Sequence, residues 1–194
     1  MLNEKIIDTV KIDGVEFTFI EKAKTFYAGS YGVADDPNDI ANAEPDIGAV
    51  YQCYEKNKHK IIGSITPEYR ICFSIDYTVN ERPCAIFFGQ ETGSPNQPED
   101  IHVIEAEPAI LIKVKSTDES WALTKKLTGY GPICNSPLFF LIWHIFCEGS
   151  NCKYERIGDI VKGRHEAEYY YDNGDRYVTV PVKLKGVIPE QWQN

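Results

Sequence analysis

The sequence predicts an α+β domain of mainly antiparallel sheet, built from duplicated strand-helix-hairpin modules with pseudo-twofold symmetry. Three observations carry that expectation. Asn173-Gly174 stands between two tyrosine- and valine-rich runs within His165 to Lys185, the strongest short-range hairpin signal available. The apolar run from Leu138 to Cys147 follows Ser136-Pro137 and precedes Gly149, the cap, first-turn proline and terminal glycine of a helix. A strand, a helix start and a hairpin strand also recur at nearly constant spacing, aligning Phe19 with Ile110, Pro45 with Pro137 and Phe73 with Glu168.

The elements follow in order. Val15 to Gly29 holds a strand in which Phe17 and Phe19 alternate with polar neighbours, closed by Gly29 and Gly32. Val33 to Glu44 is acidic and turn-rich. Pro45 then suits a first helical position, with Ile47, Val50, Tyr51 and Tyr54 along one face of a helix that ends near Asn57. Tyr69, Ile71, Phe73, Ile75 and Tyr77 alternate as a half-buried strand, and after a turn at Asn80 to Pro83 the run Cys84 to Phe88 pairs back on it. Gln90 to Asp100 reads as a loop. Ala109 to Lys115 begins the second module, and a Ser116-x-x-Glu119 capping box marks an inserted short helix that carries Trp121. The helix from Leu138 to Phe146 is apolar on all sides and must be covered everywhere. The halves span about 15–90 and 105–185 of a single domain, 1–194.

A two-residue Asn173-Gly174 turn sets a register in which Tyr170 faces Tyr177 and Glu168 faces Thr179. One face then carries Ala167, Tyr169, Val178, Val180, Val182 and Leu184 toward the core. The other carries Glu166, Glu168, Tyr170, Tyr177 and Thr179. Val178, Val180 and Val182 are expected to be buried more deeply than Tyr177 and Thr179. Pro181, which cannot donate to a ladder, is expected at an edge or bulge.

At 194 residues, 43% hydrophobic and 25% charged, the chain has ordinary globular composition. Its net charge of -9 and lack of an extended basic cluster argue against nucleic-acid binding and favour cationic or neutral partners. No apolar run approaches a membrane span and the amino terminus lacks a signal core, so a cytoplasmic protein without membrane attachment is expected. The six cysteines form no CxxC pair and are expected as thiols; His144, Cys147 and Cys152 lack a fourth ligand, so neither metal nor cofactor is expected. There is no GxSxG elbow, phosphate loop or HExxH.

Two packed modules leave a groove between them, and a groove is a place for a ligand. Glu168 among tyrosines is the candidate at its centre, as a counter-ion for a cation or as a general acid or base. Tyr170 and Tyr177 flank it. Trp143 is the candidate to reach the groove from one helix, and Tyr51 or Tyr54 from the other. Taken singly, each aromatic is also what a plain core requires.

Three segments, FTFIEKAKTFYAGSYG, EAEPAILIKV and AEYYYDNGDRYVTVPVK, together resemble the GyrI-like small-molecule-binding domain, the effector-binding domain of bacterial transcription activators. The likeness spans about residues 15 to 185. It implies that Glu168 is the buried cleft glutamate and Tyr170 the tyrosine that follows it in a Glu-x-Tyr pattern. Ala167 stands where the family often has an aromatic, which opens one wall of the cleft. Regulators of the family carry a helix-turn-helix ahead of the module; here about fifteen residues precede it, so a stand-alone module is expected. The resemblance implies a binder of lipophilic, cationic or aromatic compounds in a drug- or toxin-response role. The alternative is a hydrolase that opens cyclopropane-containing genotoxins, with Glu168 as general acid or base and Tyr170 as its proton partner.

Overall fold

The computed structural model describes residues 4–33, 46–77, 83–131, 136–148, 150–157 and 162–186. The expectations for 34–45, including Pro45, for the turn beginning at Asn80 and for Gly149 fall outside them. The strands are β1 (Glu4–Ile12), β2 (Val15–Lys22), β3 (Thr25–Val33), β4 (Tyr69–Tyr77), β5 (Pro83–Thr92), β6 (His102–Ala106), β7 (Ala109–Lys115), β8 (Tyr154–Arg156), β9 (Glu166–Tyr171) and β10 (Arg176–Leu184). The helices are α1 (Ile47–Asn57), α2 (Asp118–Thr128) and α3 (Ser136–Phe146). All ten strands join one sheet, in the order β1-β2-β7-β10-β9-β4-β5-β3-β6 with β8 on β10, and the pairings are antiparallel.

Each module is a strand, a helical segment and a hairpin whose second strand pairs with the first strand: β3, α1, β4-β5 and then β7, α2 with α3, β9-β10. The modules meet where β4 pairs β9, from Tyr69 opposite Tyr171 to Ser74 opposite Glu166, so the pseudo-twofold lies between those strands. The alignment of Phe19 with Ile110 is corrected by this topology. Phe19 belongs to β2, and the equivalent of β7 is β3; Val15 to Gly29 is two strands broken at Ala23-Lys24. Likewise β5 runs to Thr92, into the segment read as loop.

The short links then dictate the shape. In a flat sheet β2 and β3 would lie six strand spacings apart, about 29 Å. Yet only Ala23 and Lys24 separate them in sequence, a link that reaches no more than about 11 Å. The sheet therefore curls until its ends approach. Lys22 of β2 seals that approach, with its ammonium 2.6 Å from Glu4 Oε1 and 2.6 Å from Glu91 Oε2 of β5. Arg164 stitches the same seam, donating to the Ala23, Glu107 and Thr25 oxygens and to Tyr27 Oη. The inner face is packed by Tyr27, Tyr69, Ile71, Phe73, Phe87, Ala167 and Tyr169.

The helices cover the outer face. Val50 and Tyr54 of α1 pack on Cys72, Ile86 and Phe88, while Leu138, Leu141 and Ile142 of α3 and Leu123 of α2 pack on Phe17, Val114, Val178, Val180 and Val182. Helix α1 starts at Asp46, whose side chain accepts from Ala49 N. The cap of α2 is one residue later than its sequence suggests: Thr117 accepts from Ser120 N, and Ser120 Oγ accepts from Thr117 N. Helix α3 is not covered all round, for His144 is exposed and Phe140 and Trp143 are half-buried.

The hairpin forms, with a different turn. Tyr171 N donates to Asp175 O at 3.0 Å and Gly174 N to Tyr171 O at 3.0 Å, which leaves a three-residue turn, with Gly174 at φ 90°. Tyr177 now faces Tyr169 and Val178 faces Glu168, one residue from the two-residue register. A slip of one exchanges faces. Glu168 and Tyr170 thus share the outer face with Val178, and Tyr177 and Thr179 turn inward. The expected burial order holds for Tyr177, which is only half-buried, and fails for Thr179: at 1% exposed it is as buried as Val178 at 0%, because α3 covers one face of β10 and the sheet's own curl covers the other. Pro181 lies where β10 changes partner, after Thr179 pairs with Ala167 and before Val182 pairs with Arg156.

Candidate functional site: a groove between the helices

One row of residues crosses the outer face strand by strand: Ser30, Phe88, Cys72, Glu168, Val178, Val114 and Phe17. Phe88 and Cys72 belong to the cluster beneath α1, and Val178, Val114 and Phe17 to the cluster beneath α2 and α3. Those clusters share no residue. Glu168 stands between them, half-buried on the central β4-β9 pair. The strip of outer sheet between the cluster under α1 and the cluster under α3, called the groove below, therefore carries a carboxylate between apolar banks.

Its neighbours are aromatic and cationic. The Tyr170 hydroxyl donates to Glu168 Oε2. The Arg70 guanidinium lies 5.2 Å from the ring centroids of both Tyr51 and Tyr170, and Arg176 lies 5.5 Å from that of Tyr170. Tyr51 also meets Phe88 edge-on at 5.3 Å. On the α3 side Arg156 stacks 3.4 Å from the Trp143 ring and donates to Glu166 Oε1 at 2.9 Å, which gives that buried carboxylate its counter-charge. Trp143 Nε1 is buried with no hydrogen-bond partner among the described residues.

Of the residues singled out from sequence, Glu168, Tyr170 and Tyr51 come together here, and Trp143 stands on the opposite bank with Arg156. Tyr54 packs in the same cluster as Tyr51 and Tyr170 but is 2% exposed, so it backs them from beneath α1 and does not face the groove. Tyr177 is inside the curled sheet, for the register reason given above. Sequence reasoning missed Arg70 and Arg156, and it placed Glu166 on this face without a partner. Arg70 was detectable, since its neighbours Tyr69 and Ile71 alternate inward and leave it on the groove face. Arg156 was not, because β8 is a three-residue strand without a pattern.

Cys72 adjoins this floor. Burial pushes its thiol well up, and the Glu168 charge adds to the rise. A buried thiol held in the neutral form is a poor nucleophile. With a fluorescent maleimide at pH 8, exposed Cys53 is expected to label at least tenfold faster than Cys72, followed by peptide mapping; equal rates would show that the floor opens to solvent.

No family model matches the chain, and no curated protein matches it by sequence. Among solved structures, the C-terminal domain of EcmrR superposes with a TM-score of 0.50 at 12% identity, over 88% of this chain and 98% of that one. In fold, the chain is similar to that domain. An integron cassette protein from the mobile metagenome of Vibrio cholerae gives a TM-score of 0.43 at 12% identity, over 86% of this chain and 95% of that one. EcmrR in a complex with DNA gives 0.49 at 13%, over 89% of this chain and 59% of that one. None of the helices among the described residues is long and apolar enough to cross a membrane.

Proposed function

We propose that the chain is a small-molecule-binding domain of the GyrI-like kind, which takes flat lipophilic aromatic compounds, cationic ones above all, in the groove between α1 and α3. The observation that carries this reading is Glu168, a half-buried carboxylate set between two apolar clusters with Tyr170 donating to it. A carboxylate there has lost part of its hydration, and a ligand cation restores what burial removes. Tyr51 and Trp143 supply the rings on either bank against which a flat ligand stacks. The fold likeness to the EcmrR C-terminal domain supports the placing of a ligand site in such a module.

The test is fluorescence titration with a panel of lipophilic dye cations. Wild type is expected to bind members of the panel, and Glu168→Gln to lose tenfold or more in affinity, about 1.4 kcal/mol. An affinity within twofold of wild type would remove the counter-ion role, and no binding by any dye would remove the reading. The hydrolytic alternative rests on the Tyr170-Glu168 pair as a proton carrier. Incubation with a cyclopropane-bearing alkylator, followed for ring-opened product, decides it; unchanged substrate removes it.

A further inference from the structure

Lys113 lies inside the curled sheet, away from the outer groove. It interrupts the apolar run of β7, and strand pairing sets it between Thr18 of β2 and Thr179 of β10. Its amine nitrogen is 4.5 Å from the ring centroid of Tyr177, 5.4 Å from that of Tyr169 and 5.6 Å from that of Tyr171. It reaches Tyr171 Oη at 3.4 Å. Among the described residues it has no carboxylate partner. Its neighbours differ: Lys22 holds two carboxylates, and Lys115 holds Asp175 at 2.7 Å. A lysine enclosed by rings and left without a counter-ion is not what a structural ion pair requires.

Beside Lys113 opens a cavity of about 660 Å³, lined also by Ile6, Ile20, Thr18, Tyr171 and Tyr177. That is within the range of roughly 300–1,000 Å³ that small ligands occupy. Burial pushes the Lys113 amine below its ordinary value; the Glu4 charge opposes the fall and the Lys22 charge adds to it. Tyr171 is affected the opposite way. Burial, then Glu4, push its phenol up to about 12, so it keeps its proton near neutral pH.

We propose that Lys113 is a carbonyl-trapping lysine that binds small neutral aromatic aldehydes in this cavity as a reversible imine. The nitrogen lone pair adds to the carbonyl carbon, and the amine proton passes to the oxygen to give a carbinolamine. Tyr171 protonates the departing hydroxyl, which leaves as water; the nitrogen loses its last proton back to the Tyr171 oxygen, and the C=N bond remains. No oxidant or reductant is needed. The tyrosine rings and Ile6 and Ile20 favour an aromatic body. The acidic rim, with Glu16 and Glu119 among the lining residues and a net charge of -9, selects against anionic carbonyl compounds.

The test is reductive trapping on the full chain with benzaldehyde and cyanoborohydride near neutral pH, with each lysine's benzyl adduct quantified by peptide mass spectrometry. Lys113 is expected to label at least tenfold faster than the exposed Lys11 and Lys125, and an equal or slower rate overturns the proposal. Lys113→Arg is expected to remove the fast phase; a fast phase that persists also overturns it. Glu168→Gln is expected to leave the Lys113 rate unchanged, which separates this site from the groove. Should the arginine variant not fold, the wild-type rate comparison alone decides.

Discussion

Replacing Lys22 by methionine is expected to lower the free energy of unfolding by about 3–5 kcal/mol, read as the shift of a urea denaturation midpoint. Lys22 is wholly buried, and Glu91 is 1% exposed with Oε1 lacking any hydrogen-bond partner among the described residues. Removing the ammonium leaves a buried carboxylate uncompensated at the seam where β2 meets β5, where the sheet curls shut. Out of a total of about 5–15 kcal/mol, that is a large share. The double variant Lys22→Met with Glu91→Gln is expected to recover part of the loss, since the charge is then gone from both sides. An unchanged midpoint in the single variant would mean that the seam is not held by this pair. The pH dependence follows from the same contacts. Burial opposes the ammonium, but Tyr27, Glu4 and Glu91 outweigh it and hold the Lys22 amine above its ordinary value near 10.5. Its contribution is therefore complete below that ordinary value and is lost as pH rises through the higher folded value.

The second large effect is expected from Leu141→Ala, at about 2–5 kcal/mol. Leu138, Leu141 and Ile142 are each 0% exposed and form the ridge of α3 that fills the space above Val178 and Val180. Truncation there leaves a void between helix and sheet that rigid neighbours close only in part. His144, exposed on the same helix, is the control, and His144→Ala is expected to change stability by no more than about 0.5 kcal/mol. A loss below about 1 kcal/mol for Leu141→Ala, measured by the same denaturation, would show that α3 is not a packed element of the outer face. Because α3 also carries Trp143, a displaced α3 would weaken ligand binding in the groove as well, whereas Lys22→Met acts at the far seam.

The side chains of the candidate groove are partly legible in the sequence, and their grouping depends on the strand register. Glu168 and Tyr170 are legible as a carboxylate beside tyrosines in one strand, a local pattern, and Tyr51 as part of the apolar face of a helix. Tyr177 joins them only if the turn has two residues. The residues Asn173-Gly174 fit a two-residue turn, and nothing in their neighbourhood opposes it. What changes the turn is a partner far off in sequence: Asp172 N donates to Glu68 O at 2.9 Å, and β4 pairs Tyr171 with Tyr69. Asn173 Oδ1 then accepts from Asp175 N at 2.9 Å within the longer turn. The hairpin yields one residue to join the neighbouring module.

Sequence by itself determined the three helices, the strands β4, β7, β9 and β10 and the two-module repeat, written in periodicities of 2 and 3.6 and in caps that act within a few residues. Only the tertiary structure decided which faces those elements present. The parity of a hairpin register depends on pairing with β4, and the curl that buries both faces of β10 depends on two-residue links joining strands at opposite ends of the sheet. Both are set by contacts between residues far apart in the chain. A local pattern carries no information about such contacts, and so Glu168 came to lie in the outer groove while Tyr177 turned inward to Lys113.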